Sequence, residues 1–168
     1  MRIGLFDSGI GGLTVMAACK RLLPRASYLY MDDAPAAPYG EKSDEEIIAA
    51  ARGCLHTLMN AGCDAIVIAC NTATAVAAGA LRSEYPDFPI LGLEPAVGPA
   101  LRAERGKILL LATPATARHK TYPPRVIVGV ERNLASDVER AYGCPSALPA
   151  LARRTLSAYS GYSAVVTG

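Results

Sequence analysis

"AIVIACNTATAVAAGALRSEYPDFPILGL", residues 65 to 93, reads as a strand, a helix and a second strand. The apolar run "AIVIA" (65–69) stops at Cys70, and Asn71, Thr72 and Thr74 bring hydrogen-bonding side chains. "TATAVAAGALRSEY" (72–85) follows as a helix that Pro86 ends, and "ILGL" (90–93) supplies the next strand. Two short apolar runs joined by a helix form a right-handed crossover unit of a parallel sheet.

Working outward, the same alternation recurs. "IGLF" (3–6), "YLYM" (28–31), "KILLLA" (107–112), "RVIVGV" (125–130) and "SAVVTG" (163–168) are further strands. Their apolar runs are continuous, which predicts cover on both faces. "SDEEIIAAARGCLHTLMNAG" (43–62) begins with Ser43 and Glu46 at capping-box spacing, places Ile47, Ala51, Leu55 and Leu58 on one face, and stops at Gly62. Pro24 ends another helix. The fold class is therefore α/β, as two small parallel-sheet lobes with flanking helices and a cleft between them. The boundary falls near Glu94 and Pro95, giving a first lobe over 1–94 and a partial second over 95–168.

Composition narrows the function classes. The chain has 168 residues, 51% hydrophobic and 19% charged, in the range of globular proteins, and its net charge of +2 gives no reason to expect nucleic acid or anionic lipid as a partner. The start "MRIGLFDSG" meets Asp7 too early for a signal peptide, and no run approaches bilayer length, so a cytoplasmic protein is expected. Five cysteines without a CxxC pair suggest neither a disulfide framework nor a zinc site.

Cys70 stands at the carboxyl end of a buried parallel strand, where open α/β sheets bind ligands. The helix after it, capped by Thr72 or Thr74, would lower the thiol's pKa through its dipole and make it a base or nucleophile. The plain alternative, a small buried side chain, stands beside it; Cys19, Cys54 and Cys63 take only that plain reading. "FDSGIGGLTV" (6–15) is a second strand-end turn, whose Gly9, Gly11 and Gly12 offer backbone N–H groups to an anion. Asp7 and Ser8 suit a small ligand that bears an ammonium and a carboxylate, although Asp7 serves equally as a helix cap. The turn matches neither the dinucleotide fingerprint nor a phosphate loop. "APYGEKS" (37–43) brings Tyr39 and Gly40 to the same edge and toward the cleft. His56 falls within a helix and His119 in a loop, so neither is placed beside Cys70.

Together "FDSGIGGLTV", "PYGEKS", "ACNTAT" and "LEP" (93–95), over residues 2 to about 122, resemble the glutamate racemase family of the cofactor-independent aspartate/glutamate racemase superfamily. Aspartate racemases are less similar, because there the Cys-Asn-Thr motif usually leads to histidine where this chain has Ala73 and Thr74. The resemblance implies two α/β domains and a substrate, glutamate, racemised by two cysteines on opposite faces of its α-carbon to supply D-glutamate for the bacterial cell wall. It implies that Cys70 is one of those bases. By the same resemblance Asp7, Ser8, Tyr39, Gly40, Asn71 and Thr72 contact substrate, as do Thr113 and Thr116 of "ATPATARHKTY" (112–122). Neither pyridoxal phosphate nor a metal is called for.

In the family a strand like "SAVVTG" runs into Cys-Thr-His, which carries the second cysteine, whereas this sequence ends at Gly168. The resemblance thus implies a chain cut short, its first lobe lacking its usual carboxyl-terminal completion. Cys144, after "AYG" in a predicted turn, is no substitute. The family's segment with an acid that supports the site aligns either with "NLASDVE" (133–139), which would give Glu139 that role, or with "CPSALPAL" (144–151); a surface helix acid is the plain reading of Glu139. Exposed apolar edges raise the expectation of a homodimer. Two other classes stay open: a racemase-fold remnant that only binds, and a cysteine-dependent hydrolase, which requires a histidine beside Cys70.

Overall fold

A computed structural model describes residues 1–142 and 144–167; Gly143 and Gly168, the latter the last residue of the expected final strand, lie outside the described residues. The chain divides into two compact units, Met1–Glu94 and Pro95–Gly168.

The first unit runs β1 (Arg2–Asp7), α1 (Gly12–Leu22), β2 (Ser27–Asp32), two 3₁₀ turns (Ala34–Ala36 and Tyr39–Glu41), α2 (Asp44–Asn60), β3 (Ala65–Ile68), α3 (Asn71–Glu84) and β4 (Ile90–Gly92). Its four strands are parallel in the order β2-β1-β3-β4. Phe6 aligns with Ile68, and Ile68 with Gly92, so β1, β3 and β4 end at one edge. Each connection after β1 must therefore cross the sheet, which is what the helices between the strands accomplish.

The second unit has α4 (Val97–Ala103), β5 (Ile108–Ala112), α5 (Pro114–His119), β6 (Val126–Val130), α6 (Leu134–Tyr142), α7 (Leu148–Leu156) and β7 (Ala164–Thr167). Its strands are parallel in the order β6-β5-β7. Val97, Ile108, Leu110, Ala112, Val126 and Val166 form its core, with Leu101 and Val128 packed against them.

The α/β class expected from the sequence is the class observed, and all seven apolar runs are strands. One inference from those runs is corrected. Only β1 and β5 are buried along nearly their whole length; β2, β4, β6 and β7 keep exposed residues. The reason is topological: β2 and β4 are edges of their sheet, and β6 and β7 flank a single central strand. Close approach also explains the unequal cover of the first sheet. A Cβ on Gly4 would lie 3.2 Å from Leu58 Cβ of α2, whereas one on Gly12 of α1 would lie 2.8 Å from Ala69 Cβ on the opposite face. Within the first unit α2 and α3 thus cover the face of Ile66 and Ile68, and α1 lies over the face of Val67. Leu91, in register with Val67, consequently stays 56% exposed.

Helix boundaries follow local chemistry. The Ser43 hydroxyl accepts the Glu46 N–H (3.2 Å) and the Glu46 carboxylate accepts the Ser43 N–H (2.8 Å), closing the capping box. These bonds hold the Glu46 carboxyl below its usual pKa range. At the other end Gly62 takes a positive φ of 76°, which a side chain would disfavour. Ser43→Ala should destabilise the protein by about 1 kcal/mol, read as a lower urea midpoint at unchanged slope.

Candidate active site at the carboxyl edge of the first sheet

Because β3 ends at Ile68 and α3 begins at Asn71, Cys70 is itself the residue that caps α3. Its Sγ accepts the Ala73 N–H at 3.4 Å. This replaces the expected cap at Thr72 or Thr74, both of which are buried within the first helical turns. Thr74 has a different task. Its hydroxyl donates to Ile68 O (3.2 Å) and accepts the Leu93 N–H (3.1 Å), stitching the ends of β3 and β4 together. Gly92 makes room, since a Cβ there would sit 2.5 Å from Thr74 Cγ2. Asn71, first residue of α3, is half-buried.

The adjacent strand end brings β1 to the same thiol. Ser8 Oγ lies 3.6 Å from Cys70 Sγ. Asp7, 9% exposed, uses both carboxylate oxygens locally: Oδ1 accepts the Ser8 N–H (2.8 Å) and Oδ2 the Gly12 N–H (2.7 Å). The glycine turn is therefore not simply an open anion cradle, because its first helical N–H is already met by Asp7. Burial raises the Asp7 carboxyl above its ordinary pKa, and the Gly12 and Ser8 N–H groups oppose that rise. Tyr30 completes the turn by donating its hydroxyl to Gly9 O (2.6 Å).

Acidity at Cys70 also departs from expectation. The helix terminus alone predicts a lowered pKa, yet the thiol is raised, first by burial at 7% exposure and then by the nearby Asp7 carboxylate. The Ala73 N–H and Ser8 pull the other way without prevailing. A group whose folded pKa exceeds its unfolded value stabilises fully below the unfolded value, about 8.5 for a thiol, and loses that contribution as pH rises through the folded value. Urea midpoints from pH 7 to 10 should therefore fall more steeply in the native protein than in Cys70→Ala.

The Tyr39–Gly40 turn is buried at this edge, with the Tyr39 hydroxyl donating to Asp33 Oδ2 at 2.5 Å. Burial pushes the phenol far up, with smaller contributions from Asp33, Cys54 and Cys70. Asp33, Cys54 and Tyr30 were not singled out from the sequence, because no apolar period or motif marks a contact between a loop acid and a helix thiol.

Other candidates take separate positions. Thr113 caps α5, its Oγ1 accepting the Thr116 N–H (3.3 Å) and donating to Thr116 Oγ1 (3.1 Å), and Thr116 is fully buried. His119 is the last residue of α5 rather than a loop residue. Glu139 is exposed on α6, and Cys144 is exposed with Sγ 3.3 Å from Ser146 Oγ. His56 sits on the exposed side of α2, edge-on to Tyr85 and hydrogen-bonded to its hydroxyl. Among the described residues no group of three His, Cys, Asp or Glu side chains could hold a metal, and no helix is long and apolar enough to cross a membrane.

Known proteins are similar to this chain in sequence and in fold. The chain is 43% identical over 146 residues to glutamate racemase of Halothermothrix orenii, a match covering 86% of this chain and 56% of that protein. It is 45% identical over 121 residues to glutamate racemase of Clostridium perfringens, covering 71% and 46%. Among solved structures, Escherichia coli glutamate racemase in complex with L-glutamate and the activator UDP-MurNAc-Ala matches with a TM-score of 0.80 and 31% identity, over 99% of this chain and 68% of that one. The chain thus spans about half the length of the curated relatives it matches. The family described as Asp/Glu/Hydantoin racemase matches residues 3–166, nearly the whole sequence, and the chain belongs to that family.

Proposed function

We propose that this chain carries one half of a glutamate racemase site, in which Cys70 moves the α-proton of glutamate without a cofactor. The observation that supports it most is the thiol at the start of α3, 3.6 Å from the Ser8 hydroxyl and beside the buried Asp7 carboxylate. An α-hydrogen next to an ionised carboxylate is a very weak acid, so its removal needs a positioned base and directed stabilisation of the developing negative charge. Burial and the neighbouring Asp7 carboxylate favour the neutral form of Cys70. A substrate ammonium entering beside Asp7 supplies the positive charge that is missing, favouring thiolate where the α-proton is taken. Racemisation needs a second acid on the opposite face of the α-carbon.

Ser8, Tyr39, Gly40, Asn71 and Thr72 are proposed as the substrate contacts, with Thr113 and Thr116 as further hydroxyls that meet it. D-glutamate for cell-wall peptidoglycan and a cytoplasmic location belong to the same reading. So does a homodimer, for which Leu22 (80% exposed) and Leu91 (56%) supply apolar surface.

The test is proton NMR of L-glutamate in heavy water with the folded protein. Loss of the α-proton signal supports the reading, and conversion to D-glutamate shows that a second acid acts. An α-proton that persists sinks the catalytic reading, and a titration of glutamate then decides whether the chain only binds.

A further inference from the structure

The Tyr39–Gly40 turn owes its place to one residue that no motif marks. Asp33 follows β2 directly, and its N–H donates to Asp7 O at 2.9 Å, continuing the β1–β2 pairing one step past the strand. Its carbonyl accepts the Ala36 and Ala37 N–H groups at 3.0 and 3.1 Å, closing the 3₁₀ turn. Backbone bonds thus hold it on both sides. Its carboxylate then accepts the Tyr39 hydroxyl at 2.5 Å.

Tyr39 is 1% exposed, so its hydroxyl has given up water and needs a fixed acceptor. Cys54 of α2 is also 1% exposed and interacts electrostatically with Asp33 and Tyr39. Its thiol is pushed up to about 12, mainly by burial and then by the Asp33 charge, so it packs as a neutral group. The two thiols that interact with Tyr39 therefore differ in use: Cys54 is a buried residue of α2, and Cys70 stands at the strand edge.

We propose that Asp33 is a positioning residue of the site: anchored on the Asp7 backbone, it holds the Tyr39 hydroxyl and so sets the Tyr39–Gly40 turn relative to Ser8. This rests on the glutamate reading above and adds to it the residue that organises one wall.

The test compares Asp33→Asn, Asp33→Ala, Tyr39→Phe and the Asp33→Ala/Tyr39→Phe double variant. Three quantities are read: affinity for L- and D-glutamate by NMR titration, the Gly40 amide shift without ligand, and the urea midpoint. Asp33→Ala and Tyr39→Phe should each weaken glutamate binding roughly fivefold, and the double variant no more than either alone. Asp33→Asn, which keeps an acceptor, should recover most of the loss. Additive losses, or a fall in stability with affinity unchanged, overturn the inference. If the native protein binds neither enantiomer, the glutamate reading fails and the Gly40 amide decides Asp33's role by itself. A common displacement in Asp33→Ala and Tyr39→Phe upholds the positioning, and an unmoved signal overturns it.

Discussion

Replacing Cys70 with alanine should lower the exchange of glutamate's α-proton by about a hundred- to ten-thousandfold, the contribution of one positioned acid–base group. The reason is local. Sγ is at once the cap of α3 and the neighbour of Ser8 Oγ at 3.6 Å, and alanine leaves both partners without it. Cys70→Ser separates two explanations, since a hydroxyl can accept the Ala73 N–H yet is a far weaker acid than a thiol. If serine restores the urea midpoint and leaves exchange absent, the thiol acts as the base. If serine restores exchange too, Cys70 is structural and another group takes the proton. The measurement is the α-proton signal in heavy water, with the urea midpoint taken on each variant.

The second large effect is expected at Gly12. A Cβ there would lie 2.8 Å from Ala69 Cβ, 2.9 Å from the Tyr30 hydroxyl and 3.0 Å from Asp7 Cβ. Two of those atoms are attached directly to backbone, so the chain itself must move. Gly12→Ala should cost about 1–3 kcal/mol as an overpacked substitution. It should also loosen the site, because Asp7 binds the Gly12 N–H and Ala69 immediately precedes Cys70. Gly79→Ala in α3 is the matched control. No neighbour lies within 4 Å of its added Cβ, and a helical glycine there should be improved by alanine, by about 0.5–1 kcal/mol. Opposite signs in urea denaturation support steric exclusion at Gly12. Equal signs mean that α1 shifts at little cost, and that its close approach to β3 is not fixed.

Much of the fold was legible because parallel strands announce themselves as apolar runs and their helices start and stop on recognisable residues. The Ser43 and Glu46 box, Gly62, and Pro24 and Pro86 beyond the ends of α1 and α3 all act within a few residues of chain. What escaped was non-local. Which strands become edges depends on sheet order, so "YLYM" looked as buried as "IGLF" although β2 is an edge and β1 is not. The same limit applies at the site. The gathering of Asp7, Ser8 and Cys70 at one edge was legible, since parallel strands present their carboxyl ends together. The thiol's raised pKa was not, because the burial and the Asp7 charge that produce it come from tertiary packing and from β1 rather than from the sequence beside it. The start of α3 at Asn71 rather than Thr72 likewise placed the cap at Cys70 instead of a threonine.

That last feature ties a proton to a piece of backbone. A thiolate accepts a hydrogen bond more strongly than a thiol, so the charge on Cys70 and the order of the first turn of α3 form one linked equilibrium. A ligand that firms the turn makes the thiol the stronger acid, and one that draws the Ala73 N–H away makes it the weaker. Shape at the head of a helix and readiness to give up a proton are then two readings of a single state.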